Sequence, residues 1–315
     1  MDISIVIPLL NECESLQELS LKIDSVMKDN SFSYEVIYVD DGSNDNSWEI
    51  ISSICEENNS FKALKFSKNY GKSQALHAGF EIAAGNLVFT MDADLQDDPE
   101  EIPEMYNLII NKKLDILSGW KKKRFDPVLT KNLPSKIFNL CARLTSGIKL
   151  NDFNCGLKGY KNEVVKNINV YGEMHRYIPI LASNEGYNKI EEKVIKHRPR
   201  KYGQTKFGMS RFSHGFLDLV TIWFLSRFGK RPMHFFGAIG ALMLIIGFMF
   251  ALYLGIDKIY LNPEGRLITE KPEFFISLTT MILGSQFFVA GFLGEMITRN
   301  NQNKKQYKID QKINS

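Results

Sequence analysis

The chain has 315 residues, 44% of them hydrophobic, enough to bury one full core and leave an appendage. A net charge of +3 is too small for a nucleic-acid binder. Cys13, Cys55, Cys141 and Cys155 are scattered with no C-x-x-C pair, so neither a zinc site nor a disulfide framework is indicated, which fits a reducing cytosol.

Met1 to Ser4 runs straight into a strand without a basic leader, so no cleavable signal peptide is expected. Ile3 to Ile7 reads as the first strand, broken by Pro8, with Asn11 and Glu12 in the loop before an amphipathic helix over 15–27. Tyr34 to Val39 is the second, ending in Asp40-Asp41-Gly42-Ser43 ahead of a helix over about 45–57. Phe61 to Phe66 is a third strand and Gly71 to Ala84 a third helix. The fourth strand, Leu87 to Met91, lies between Gly85 and Pro99 and runs into the acidic stretch Asp92-Ala93-Asp94-Leu95-Gln96-Asp97-Asp98. A helix over 99–111 and the apolar run Leu114 to Gly119 follow.

Short apolar strands alternating with helical patterns indicate an α/β fold, a mostly parallel sheet with helices on both faces. Ligands of such sheets bind outside the carboxyl ends of the strands. Pro8 with Asn11 and Glu12, Asp40 with Asp41, and Asp92 with Asp94 all fall there, so three polar clusters are expected on one crevice.

Asp92 and Asp94 share one side if strand geometry persists through them. With the Gln96 amide they make a hard oxygen site for Mg2+ or Mn2+, a cation that keeps waters and bridges to substrate phosphates. Asp97 onward reads as capping for a helix beginning near Pro99. No G-x-G-x-x-G follows the first strand, and Gly71-Lys72-Ser73 lacks the upstream glycine of a P-loop, which argues against a dinucleotide enzyme or an ATPase.

Val128 to Gly147 reads as a helical connection and Asn151 to Gly156 as a turn-rich segment before Leu157 to Tyr160. Glu173-Met174-His175-Arg176 precedes an apolar helix through Ala182, and Tyr187 to Arg198 looks like another strand. From Lys196 to Arg231 there are nine Lys and Arg against one acid, Asp218. Met233 to Ile256 is 24 residues without a formal charge, and Phe274 to Gly294 a second such run of 21. Each is long enough at ~1.5 Å per residue to cross a ~30 Å hydrocarbon core, so a two-helix membrane hairpin is expected.

Lys230, Arg231, Arg299, Lys304, Lys305 and Lys308 flank its open end, which places that end and both termini in the cytosol. The expected organisation is a catalytic domain over 1–208, an interfacial helix over 209–231, two spans within 232–297 (about 233–256 and 274–295), and a basic tail over 298–315. Gly237, Ala238, Gly240 and Ala241 would allow close helix packing, in the hairpin or in a homo-oligomer.

These residues resemble family 2 glycosyltransferases of the polyprenyl-phosphate type, the group of dolichyl-phosphate mannose synthase and bacterial undecaprenyl-phosphate glucosyltransferases. The resemblance is carried by Ile5-Val6-Ile7-Pro8 with Asn11-Glu12, Val39 to Ser43, Asp92-Ala93-Asp94-Leu95-Gln96, Gly119 with Lys121 and Arg124, Asp152 to Gly156, His175-Arg176, and Arg198-Pro199-Arg200 through Gly203, Thr205 and Lys206. Gly294-Glu295 with Arg299 and the two spans match its bacterial branch.

It implies the nucleotide-sugar-binding fold called GT-A. Pro8, Asn11, Glu12, Asp40, Asp41 and Asp92 would bind the nucleotide sugar, Glu12 and Asp41 at base and ribose, with Asp94 and Gln96 on the metal. It also implies inverting, metal-dependent transfer from a UDP- or GDP-linked sugar to undecaprenyl phosphate at the bacterial inner membrane, for cell-envelope glycan modification. A separate flippase and a downstream glycosyltransferase would be partners. Lys121 and Lys131 stand where the family more often has arginine, which keeps the charge without the bidentate fork.

Transfer to a sugar hydroxyl needs a general base, often an acid at a helix start, yet His175-Arg176 stands at that place. A phosphate monoester, with a second pKa of about 6, is already anionic at neutral pH and needs cations instead. Lys121, Arg124, Lys131, Ser135, Arg176, Arg200 and Lys206 are the candidates, and Arg124, Arg176 and Arg200 join Asp92 and Asp94 as expected catalytic groups. His175 reads as structural. The alternatives are a hydroxyl-acceptor polysaccharide synthase, for which no Q-x-x-R-W segment is present, and a non-catalytic membrane scaffold.

Overall fold

In a computed structural model of the protein the described residues are 1–122, 139–140, 142–144, 146–170, 172, 174–199, 201, 224, 228, 231–300 and 309–313. The chain divides into two compact units, Met1–Trp223 with Lys305–Ser315, and Phe224–Lys304.

The first unit is built on strands β1 (Ile3–Leu9), β2 (Tyr34–Asp40), β3 (Phe61–Phe66), β4 (Leu87–Thr90), β5 (Ile116–Trp120), β6 (Lys158–Lys161), β7 (Ile190–Val194) and β8 (Ile309–Ile313). They form one sheet in the order β7-β5-β6-β4-β1-β2-β3-β8. β1 pairs in parallel with β2 and β4, β2 with β3, and β5 with β7; β6 runs antiparallel between β4 and β5, and β8 antiparallel along β3.

All seven residues of β1 are buried, as are six of seven in β2, because helices cover both faces and leave no polar side to alternate with. Ile3, Ile5 and Ile7 face a core shared with α1 (Cys13–Asp29), α2 (Ser47–Glu57) and α4 (Ile102–Lys112), through Leu16, Leu19, Ile51, Met105 and Ile109. Val6 and Val39 face the other way, against α3 (Lys72–Ile82). α5 (Asn162–Asn167) and α6 (Ile178–Asn184) are further helices of the unit, and the described residues between 139 and 146 are also helical.

The expected α/β architecture is present, with differences that have local causes. β4 ends at Thr90, and residues 91–96 form a turn with Leu95 at φ 59°, so Asp92 and Asp94 do not continue a strand. A 3-10 turn, Pro99–Glu101, precedes α4; the Asp98 carboxylate accepts from the Glu100 amide, the expected capping role. β8 falls where only a basic tail is expected.

The second unit is a helical hairpin, α7 (Pro232–Ile256) and α8 (Pro272–Asn300). Both are long and apolar enough to cross a membrane, and only 17% of each span's most apolar stretch is buried. Close approach comes from glycine: a Cβ on Gly240 would lie 2.6 Å from the Gly284 carbonyl oxygen, and one on Gly284 would lie 2.8 Å from that of Gly240. Ser277 Oγ donates to the Gly247 carbonyl at 2.7 Å, satisfying its hydroxyl inside the pair. These small residues are used within the hairpin. The expected interfacial helix over 209–231 lies outside the described residues, except for 224, 228 and 231.

Candidate active site

β1 sits between β2 and β4, so the chain turns to opposite sides of it, the position at which open α/β sheets leave a crevice. The loop after β1 is sewn to the loop after β2. Asn11, at φ 52°, takes the Asn44 amide on its Oδ1 at 2.8 Å, while the amides of Asn11 and Glu12 donate to the Ser43 and Ser47 hydroxyls at 2.9 and 3.0 Å.

Asp40 accepts from both the Ser43 amide and its hydroxyl, closing an Asx turn. Asp41 accepts the amides of Tyr70 and Gly71 at 2.7 and 2.9 Å, clamping the loop that leads into α3. Burial, the largest influence, pushes the Asp41 carboxyl up to about 6 against those two bonds.

α3 begins with Lys72, whose ammonium is ion-paired with the Asp92 carboxylate. Burial alone would raise the Asp92 carboxyl, but Lys72, then Lys121 and Lys158, outweigh it and hold it well below the usual carboxylate range. Beside it Thr90 Oγ1 donates to the Gly156 carbonyl at 2.8 Å, binding the end of β4 to the loop before β6. A Cβ on Gly156 would lie 2.6 Å from Asp92 Oδ2, so only glycine lets the backbone pass this close.

A narrow cleft opens here, lined by Pro8, Lys72, Asp92, Cys155, Gly156, Lys158, His175 and Arg176 among others. Lys158, on β6, is 3% exposed, and its ammonium donates to the carbonyls of Phe153, at 3.1 Å, and Cys155. His175 is held by Ser73 of α3: its amide donates to the Ser73 hydroxyl at 3.0 Å, and Nδ1 lies 3.2 Å from that oxygen. Burial first, then Lys72, Arg176 and Lys158, holds the His175 imidazole neutral well below its ordinary 6.5. Burial pushes the Cys155 thiol up to about 12.

On the other side of the 91–96 turn, Asp97 is bridged to His197, the Arg198 amide donates to the Gln96 carbonyl at 3.0 Å, and the Arg198 guanidinium pairs with Asp98 at 2.5 Å. That stitching brings the start of the cationic block beside the carboxylates. Lys121 and Asp97 form a buried ion pair of 2.7 Å, their side chains 12% and 0% exposed. The Lys121 ammonium, expected on the acceptor phosphate, is therefore engaged inside the protein. Asp94 is buried, with its Oδ1 accepting from the Gln96 amide at 3.2 Å.

Among the described residues no group of three His, Cys, Asp or Glu could enclose a metal. Asp94 and Gln96 supply one carboxylate and one amide, the sparse oxygen set that suits Mg2+ or Mn2+ shared with a diphosphate and waters. The donor chemistry fits such a cation and not a closed protein cage.

Of the expected site residues, the structure brings Pro8, Asp92 and Arg176 to one cleft and places Asn11, Glu12, Asp40 and Asp41 in the loops beside it. Arg124, Lys131, Ser135, Arg200 and Lys206 lie outside the described residues. Lys72, Ser73, Gly156 and Lys158 went unassigned in the sequence. Lys72 is masked there by its likeness to a broken P-loop, and Lys158, in the mixed stretch Leu157 to Tyr160, carries no mark of burial.

A sequence profile of "Glycosyl transferase family 2" matches residues 4–169. Dodecaprenyl-phosphate galacturonate synthase of Rhizobium johnstonii is 34% identical over 303 residues, covering 95% of this chain and 88% of that protein. Undecaprenyl-phosphate 4-deoxy-4-formamido-L-arabinose transferase of Yersinia pestis is 31% identical over 301 residues, covering 94% and 88%. Among solved structures, glucosyl-3-phosphoglycerate synthase of Mycobacterium tuberculosis with uridine diphosphate aligns at a TM-score of 0.55 and 16% identity, over 71% of this chain and 79% of that one. The same protein with Mg2+ and uridine diphosphate aligns at 0.56 and 15%, over the same shares, and a further structure of it holds Mn2+. The structural likeness establishes the GT-A fold.

Proposed function

Because this chain belongs to glycosyl transferase family 2 and is a glycosyltransferase, we propose that it transfers a sugar from a nucleotide sugar to polyprenyl phosphate at a membrane surface. The observation that carries the choice of acceptor is the lack of a proton acceptor among the described residues lining the cleft. Asp92 is held ionised by surrounding cations, and a carboxylate that weakly basic takes no proton in the transition state. His175 would have to become an imidazolium beside Lys72, Lys158 and Arg176, which the same charges oppose. Cys155 stays a thiol and Lys158 is committed as a donor to two carbonyls. An acceptor that arrives deprotonated removes the need for a base, and a phosphate monoester is one.

In this mechanism a phosphate oxygen of the lipid attacks the anomeric carbon as the carbon–oxygen bond to the diphosphate breaks, and the nucleoside diphosphate leaves with the bonding electrons. Attack in line with the leaving group inverts the anomeric centre. Asp92, fixed by Lys72, accepts hydroxyl hydrogen bonds from the donor; Arg176 at the cleft positions the incoming phosphate. Asp94 and Gln96 would hold Mg2+ or Mn2+, which when bound neutralises charge developing on the departing diphosphate.

The two apolar helices would anchor the chain in a bacterial inner membrane with the catalytic unit cytosolic. An even number of spans returns the chain to the side it left, where β8 joins the sheet of the first unit.

The test is transfer in detergent from labelled UDP- and GDP-sugars onto undecaprenyl phosphate, with Mg2+, Mn2+ or EDTA. One donor should give an organic-extractable product that EDTA abolishes. Intact nucleotide binding with no lipid product from any donor would move the reading to a hydroxyl acceptor.

A further inference from the structure

The hairpin satisfies some of its polar side chains and leaves two on its outer side. With α7 and α8 read as membrane spans, the hydrocarbon around them offers no hydrogen-bond partner, and a polar side chain there has to find one in protein. Between Phe274 and Gly294 the polar side chains are Ser277, Thr279, Thr280, Ser285 and Gln286. Ser277 donates to the Gly247 carbonyl of α7, and Thr280 and Ser285 donate to the Ile276 and Ile282 carbonyls of their own helix, each at 2.7 Å. Thr279 and Gln286 are exposed, and neither side chain makes a hydrogen bond to a described residue. Threonine can turn its hydroxyl back onto the carbonyl four residues earlier. Gln286 is the telling one, because its amide carries two donor hydrogens and an acceptor, more than its own helix can satisfy.

Ser277, Gly284 and Gly291, seven residues apart, form the row of α8 that packs on α7. Thr279, Gln286 and Leu293 follow them by two residues each, about 200° round the helix, and so form a row on the opposite side. Thr279, Ile282, Gln286, Val289, Leu293 and Met296 alternate spacings of three and four, the seam of a left-handed helix pair, and all six are exposed. Gln286 is the midpoint of α8, about 21 Å along the axis from either end, too deep for its amide to reach a headgroup.

Resting on the spanning reading above, we propose that this face of α8 binds the same face of a second copy of the chain. All copies insert with one topology, so two α8 helices meet in parallel and Gln286 stands opposite Gln286 at one depth. A primary amide both donates and accepts, so the symmetric pair satisfies itself, with Thr279 against Thr279 two turns away. One polar residue in an apolar seam also fixes the register. The glycines of α8 are taken up by α7, so this surface is separate from the one that closes the hairpin.

The test uses the full chain, first in cell membranes washed at alkaline pH and then in lipid vesicles. Release of the chain into the wash would refute the spanning reading itself. In the retained membranes, oxidation should link copies carrying Ile282→Cys or Val289→Cys far more than copies carrying Ser285→Cys or Phe287→Cys, with the wild-type chain and its native cysteines as background. In vesicles, energy transfer between labelled wild-type copies should report association; Gln286→Leu should weaken it by about tenfold and Gln286→Asn should keep most of it. Wild-type copies that do not associate, association unchanged by Gln286→Leu, or links at 285 and 287 as strong as at 282 and 289 would each overturn the proposal. So would links from 282 or 289 to a different polypeptide with none between copies, which would assign the face to another membrane protein.

Discussion

Gly156 decides how near the loop before β6 comes to Asp92. A methyl group there has 2.6 Å to the carboxylate oxygen, and the carboxylate can yield only by leaving Lys72. Gly156→Ala is therefore expected to fold with a melting temperature near wild type and to lose at least about tenfold in kcat/KM, on the order of 1.4 kcal/mol of transition-state stabilisation. Lys72→Met attacks the same pair from the other side. With its first cation gone, burial raises the Asp92 carboxyl, and donor binding should weaken more at pH 5 than at pH 8 when measured by calorimetry.

His175 makes a prediction about stability. It titrates near 6.5 in an unfolded chain and well below that in the fold, so below pH 6.5 the unfolded state takes up a proton that the folded state refuses. Stability present above pH 6.5 is lost as pH falls, and His175→Gln should flatten that slope in melting experiments between pH 7 and 5. Both site lysines escape a sequence reading for one reason: a lysine looks the same in the sequence whether it is solvated or buried, and only the packing of α3 and β6 around Asp92 separates Lys72 and Lys158 from the other cations.

Among the elements, the parallel half of the sheet was legible because β1 and β2 are unbroken apolar runs ended by Pro8 and Asp40-Asp41, and strand ends dictate where polar loops gather. The turn after β4 was not. Asp92 and Asp94 look strand-like by spacing, and the left-handed Leu95 that ends the strand geometry is a residue type seldom found there. β6 was hidden because Lys158-Gly159-Tyr160-Lys161 is four residues of mixed polarity whose pairing with β4 and β5 depends on partners 40 and more positions away.

The hairpin was legible as two apolar runs, while its packing depends on which glycines face each other. A Cβ at Gly240 meets backbone of Gly284 and Phe288 at 2.6 and 2.7 Å, atoms that cannot swing aside. Gly240→Val should destabilise the purified protein in detergent by about 1–3 kcal/mol, read as a lower melting temperature. The same change at Gly255, which has open space around it, should do little.

Taken from end to end, the chain leaves its first unit, runs through two apolar helices and returns as β8 along β3. If those helices span the membrane, a cysteine placed at Asn262, between them, should react with a membrane-impermeant maleimide in intact cells. One placed at Gln311, exposed on β8, should react only after lysis. Labelling of both in intact cells would contradict a hairpin with a cytosolic catalytic unit.

The proposed acceptor arrives already ionised, because among the described residues of the cleft Asp92, His175 and Cys155 offer no base. The decisive measurement compares transfer to undecaprenyl phosphate with transfer to undecaprenol from pH 5 to 9. Product is expected from the phosphate alone, at a rate level above pH 7 and falling below about 6 as the acceptor takes up its second proton. Comparable transfer to the alcohol would refute the ionised acceptor.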